Sequence, residues 1–89
     1  MNREKFISKI QSHKSCYYIY NENEQNENTG LIKVWLYNDQ IILTWEECPT
    51  GFVDDESTYT KDELHNFNSF EELEVFFNDN NLFYSNFKS

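Results

Sequence analysis

Leu31-Ile32-Lys33-Val34-Trp35-Leu36-Tyr37-Asn38-Asp39-Gln40-Ile41-Ile42-Leu43-Thr44-Trp45-Glu46 sets two apolar runs on either side of Asn38-Asp39. Asn and Asp tolerate left-handed backbone angles, which a two-residue hairpin turn demands at its centre. With the turn there, Leu36 faces Ile41, Val34 faces Leu43 and Ile32 faces Trp45. Side chains alternate along a strand, so these six share one face. The opposite face takes Leu31, Lys33, Trp35 and Tyr37 from one strand, and Gln40, Ile42, Thr44 and Glu46 from the other. A slip of one residue would turn the apolar set outward, so the pattern specifies its own register. The stretch predicts an antiparallel hairpin with one core face and one mixed face.

Elements on both sides extend this hairpin. Cys16 to Tyr20 is aromatic, branched and short, and predicts a first strand. Asn21 to Thr29 is a polar run closed by Gly30 and reads as a solvated loop. Residues 2–13 predict a helix. Asn2 suits the N-cap, Glu4 lies in the first turn, Lys9 and Lys14 lie towards the end, and Phe6, Ile7 and Ile10 form an apolar stripe that His13 extends. Glu47 to Lys61 reads as a loop containing Cys48-Pro49-Thr50-Gly51. Residues 57–67 predict a short fourth strand centred on Thr58, Tyr59 and Thr60, in competition with a helical turn at Asp62 to His65. Ser69-Phe70-Glu71-Glu72 is a capping-box pattern opening a second helix whose buried stripe is Phe70, Leu73, Phe76 and Phe77. Asn78-Asp79-Asn80-Asn81 ends that helix, and Leu82, Phe83 and Phe87 are expected to pack back on the domain. The expected fold is α+β: one domain over residues 1–89, with an antiparallel sheet of three or four strands between an N-terminal and a C-terminal helix.

Composition narrows the function classes. The chain has 89 residues, with 16 Asp plus Glu against 7 Lys plus Arg, a net charge of −9. Residues 1–15 hold four cations and one anion, leaving three cations against fifteen anions, −12, on residues 16–89. Phosphate contacts need clustered Lys and Arg, so direct nucleic-acid binding is disfavoured. No apolar run approaches the roughly 18 residues of a membrane span, and Met1-Asn2-Arg3-Glu4-Lys5 leads into no apolar stretch of a secretory signal. The 8 Phe, 6 Tyr and 2 Trp argue against a disordered acidic tail, since such tails lack aromatic residues. Cys16 and Cys48 form neither a disulfide framework nor a CxxC pair, which fits reduced thiols in a cytoplasm; a single bridge requires their strands to lie side by side.

Catalytic and metal signals are weak. His65 lies near Asp62 and Glu63, and His13 near Cys16, as candidate acid–base pairs. A surface histidine among acids explains the first, and a cation at a helix end explains the second. No phosphate loop, nucleophile elbow or HExxH is present. Asp54-Asp55-Glu56 lacks the alternating ligands and central Gly of a calcium loop. The expectation is a protein with no enzymatic activity, no cofactor and no metal.

Two signals point to protein binding. Glu46, Glu47, Asp54, Asp55, Glu56, Asp62 and Glu63 place seven anions within 18 residues, against Lys61 alone. Such charge costs a small domain stability through self-repulsion, but steers a cationic partner and speeds association. Trp35 and Tyr37 fall on the mixed face of the hairpin, where exposed aromatics serve as interface anchors unless the second helix or the Leu82–Phe87 segment covers them. The same mixed face also suits self-association or a place in a larger complex.

An acidic, cysteine-poor chain with an amphipathic first helix, a central hairpin and the closing Ser69-Phe70-Glu71-Glu72-Leu73-Glu74-Val75-Phe76-Phe77 helix resembles the immunity proteins of bacterial toxin systems. The resemblance covers most of the chain in outline, rests on no diagnostic motif and transfers no residue role. It implies a cytoplasmic inhibitor of a basic protein partner, often a nuclease toxin. Phage anti-CRISPR proteins are similarly short and often acidic, and some imitate DNA; a CRISPR effector is then the basic partner. Glu46, Glu47, Asp54, Asp55, Glu56, Asp62, Glu63, Trp35 and Tyr37 are the expected contact residues on either view.

Overall fold

The computed structural model describes residues 1–21, 28–49 and 59–89. The chain runs through α1 (Arg3–Gln11), β1 (Cys16–Tyr20), β2 (Asn28–Tyr37), β3 (Gln40–Pro49), β4 (Lys61–Phe67), α2 (Phe70–Asp79) and a 3-10 turn at Tyr84–Asn86. The four strands lie in the order β1-β2-β3-β4, each antiparallel to its neighbour. This is the expected α+β arrangement, with the sheet between two terminal helices in the chain and the fourth strand formed.

The central hairpin forms as its pattern dictates. Asn38 and Asp39 take φ of 49° and 62°, the left-handed angles of a two-residue turn. Leu36 pairs with Ile41, Val34 with Leu43 and Ile32 with Trp45. The face they share is the core. Phe6 and Ile10 of α1, Leu73 and Phe77 of α2, and Leu82 and Phe87 beyond it pack on Cys16, Ile32, Val34, Ile41, Leu43 and Trp45. Phe77 stacks on Phe87 at 5.3 Å, and Phe6 meets both edge-on at 5.7 and 5.5 Å. Rings supply the area that a thin core needs. Both helices thus lie on one side of the sheet.

Local chemistry sets the helix ends. The Asn2 side chain accepts from the Lys5 amide at 2.8 Å. Ser69 Oγ accepts from the Glu72 amide at 3.3 Å, while Glu72 accepts from the amide of Asn68 at 2.6 Å, one residue ahead of the cap. Both helices close in the same way. Lys14 donates to the Lys9 carbonyl and His13 to that of Ile10, each at 3.0 Å; Leu82 donates to Phe77 at 2.8 Å and Asn81 to Asn78 at 3.5 Å. These are Schellman closures, and each needs one left-handed residue. His13 (φ 61°) and Asn81 (φ 56°) supply it. The first helix therefore ends at Gln11, with His13 outside it, instead of running to residue 13.

Further expectations are corrected: β2 begins at Asn28 and β3 runs to Pro49, inside the stretches read as loops. The fourth strand is Lys61–Phe67, beginning after Tyr59 and Thr60, and it occupies the segment where a helical turn competed; Ser57 and Thr58 lie outside the described residues. Its inward residues are held from outside the segment. His65 packs on Phe76 at 4.7 Å between ring centroids, and Lys61 lies over Trp45. Phe83 is 62 % exposed, whereas Leu82 and Phe87 are buried. The backbone at Phe83 is extended, so its side chain points away from that of Leu82.

Candidate protein-interaction face

Strand alternation divides the predicted contact residues between the two faces. Across β3 and β4, Glu47 pairs with Lys61 and Trp45 with Glu63, in the same set of alternate residues as core Leu43 and its half-buried partner His65. Glu46 pairs with Asp62 on the opposite side. Asp54, Asp55 and Glu56 lie outside the described residues.

On the helix side, Glu47 and Glu63 are tied into a polar network at one end of the core. The Tyr20 hydroxyl donates to Glu47 Oε1 at 2.5 Å and accepts from Trp45 Nε1 at 2.8 Å. Lys61 Nζ lies 3.5 Å from the Trp45 ring centroid and 3.6 Å from Glu63 Oε2. His65 Nε2 lies 2.8 Å from Glu63 Oε1. The hydrogen bond from His65, reinforced by the Lys61 charge, holds the Glu63 carboxyl below its ordinary range. Burial, then the Glu47 contact, pushes the Tyr20 phenol up. His65 thus takes Glu63, not Asp62, as its acidic neighbour. Sequence patterning gave no sign of Tyr20's role. The signal available was Gly30, which stands opposite Tyr20 in the β1–β2 ladder and carries its ring: any Cβ there would overlap the ring.

The side of the sheet that neither helix covers, its open side among the described residues, carries Trp35 and Tyr37. Trp35 pairs with Ile42, and Ile42 with Asn66. The next row is Tyr17, Lys33, Thr44 and Leu64; the one after is Ile19, Leu31, Glu46 and Asp62. Trp35, Tyr37, Ile42, Leu64 and Asn66 line a shallow groove of about 400 Å³. Tyr37 and Leu64 are each 64 % exposed, and Lys33 Nζ stands 5.3 Å from the Trp35 ring centroid. Neither α2 nor the Leu82–Phe87 segment reaches this face, because both pack on the other. The arrangement is an apolar centre with Glu46 and Asp62 two rows away. Ile42's place in it was legible from the hairpin register. Leu64's was not, because its strand carries no clear alternation of its own.

The cysteines sit on opposite faces of strands separated by β2: Cys16 is in the core, Cys48 pairs with Thr29 on the other side, and both are free and buried. A bridge between them is excluded by this geometry. Burial raises both thiols above their ordinary value. Among the described residues, no group of three or more His, Cys, Asp or Glu is placed to hold a metal, and no helix is long and apolar enough to cross a membrane. Compared with known proteins, the chain matches no family model, no curated protein and no solved structure.

Proposed function

We propose that this chain is a protein-binding inhibitor that docks its open sheet face on a basic, nucleic-acid-acting partner. We assign it to the immunity class, blocking a nuclease toxin in the bacterial cytoplasm by occluding its cationic surface. One observation carries the proposal: the apolar groove of Trp35, Tyr37, Ile42 and Leu64 shares a face with the cross-strand pair Glu46 and Asp62. Buried aromatic anchors supply most of the affinity at interfaces, and surrounding charge supplies steering and partner choice. A net charge of −9 fits a cationic partner.

Imitation of DNA by an anti-CRISPR protein, directed at a CRISPR effector, draws on the same charge, but it favours carboxylates in rows on one surface. Here Glu47 and Glu63 face away from Glu46 and Asp62, which favours docking through anchors.

The test pairs capture of a basic partner from the host with inhibition of that partner's nuclease activity. W35A is expected to weaken inhibition by about 2 kcal/mol or more, roughly thirtyfold, chiefly through faster dissociation. E46Q/D62N is expected to slow association at low salt and to matter less once screening shortens to about 8 Å. Full inhibition by both variants, with an association rate indifferent to salt, rules the proposal out.

A further inference from the structure

The two edges of the sheet are treated differently. At the β1 edge, Tyr17 and Lys88 exchange backbone hydrogen bonds at 2.8 Å in both directions, so the chain's own last residues cover part of it. At the other edge, β4 pairs with β3 on one side, and among the described residues no strand lies beyond it. Among the described residues nothing is paired with the outer side of this seven-residue strand, and a sheet edge of that kind offers backbone groups to another strand. It also carries Leu64, 64 % exposed at the border of the groove. Pro and bulges, two common guards on such edges, are absent from β4; its guards are the charged side chains Lys61, Asp62 and Glu63, so pairing at this edge depends on a register in which those charges are matched.

The sequence of β4 is complementary to itself in one antiparallel register. Centred on Leu64, Lys61 stands opposite Phe67, Asp62 opposite Asn66 and Glu63 opposite His65, with no like charges facing each other. Centred on Glu63, two carboxylates would face each other, and Lys61 would face His65. Centred on His65, two imidazoles would face each other. Cross-strand partners lie close enough for opposite charges to stabilise a pairing and like charges to oppose it. Glu63 and His65 already meet at 2.8 Å on the helix-side face of one chain. In the Leu64-centred register, each carboxylate gains a second imidazole across the axis, and the four groups alternate in kind.

We infer that β4 pairs antiparallel with β4 of a second copy of this chain, about a two-fold axis at Leu64, joining two four-stranded sheets into one of eight. Leu64 of each copy meets its counterpart on the open side, and the two grooves become neighbours. The contact is isologous and closes at two copies. A single strand edge is a small interface, so the dimer is a weak one. The inference stands apart from the inhibitor proposal, because Trp35, Tyr37 and Glu46 lie on β2 and β3, away from the paired edge.

Sedimentation equilibrium of the intact chain from about 1 µM to 1 mM covers the range in which a small interface dissociates. Expected is a monomer–dimer equilibrium, with β4 amides gaining protection from hydrogen exchange as concentration rises. H65E sets two carboxylates opposite each other and is expected to weaken the dimer at least tenfold. E63K/H65E sets opposite charges across the axis and is expected to recover it. Circular dichroism of each variant checks that the fold is retained. A chain that stays monomeric throughout overturns the inference. So does a dimer that ignores H65E, or one whose concentration-dependent changes fall on Trp35 and Tyr37 instead of β4.

Discussion

Tyr20 shows how one side chain closes a small core. Its ring lies over Gly30, and its hydroxyl bridges Trp45 and Glu47. Ionising that hydroxyl would set a phenolate against a carboxylate in a desolvated site, so the folded chain resists it and the phenol is raised. A raised acid stabilises the fold fully below its unfolded value, near pH 10, and loses that contribution as pH climbs further. Urea midpoints are therefore expected to fall steeply above about pH 10. Y20F should be less stable at pH 7, by about 1 kcal/mol, yet show a flatter alkaline limb. Equal alkaline slopes would remove Tyr20 from this role. His13 gives a second residue-scale expectation. It occupies a left-handed position at the end of α1, where a β-carbon is unfavourable. His13→Gly is expected to raise stability by about 0.5–1 kcal/mol in denaturant titration. Neither position was legible from the sequence in full. His13 reads as a residue of the stripe of α1, and Tyr20 as any strand aromatic, because both roles depend on backbone angles or on a partner far along the chain.

At the scale of elements, legibility tracked how much of each signal is local. The hairpin carries its own turn chemistry and its own alternation, and its register follows from both. The second helix carries its own cap: Ser69→Ala is expected to cost about 1 kcal/mol, read as a lower urea midpoint with an unchanged slope. The fourth strand is the contrary case. Along Lys61–Phe67 the inward positions are Lys61, Glu63, His65 and Phe67, and the exposed ones include Leu64. Its polarity is nearly the reverse of an amphipathic strand. Lys61 and His65 sit inward because Trp45 and Phe76 offer ring faces to them, and those rings belong to other elements. Tyr59-Thr60 has the better intrinsic strand propensity, but propensity yields to such packing. The same reversal leaves Leu64 on the open face, so the groove could be only half seen from the hairpin.

For the molecule as a whole, the decisive fact is that both helices took one face of the sheet, leaving the other to bear Trp35, Tyr37 and Leu64 beside Glu46 and Asp62. Like charges directly opposite on neighbouring strands oppose pairing by a few tenths of a kcal/mol to about 1. On a chain of net charge −9 the wider field adds to that strain. Asp62→Lys sets a cation across from Glu46 and lowers the net negative charge by two. It is therefore expected to raise the melting temperature at low salt. The gain should shrink as salt rises towards 1 M, where the screening length is only about 3 Å. If the pair is kept for contact with a basic partner, the same substitution weakens inhibition while it strengthens the fold. Stability and binding then move in opposite directions in one variant. A carboxylate present only for solvation would show the gain in stability with no loss of inhibition, which makes D62K the substitution that separates charge used for recognition from charge used for solubility.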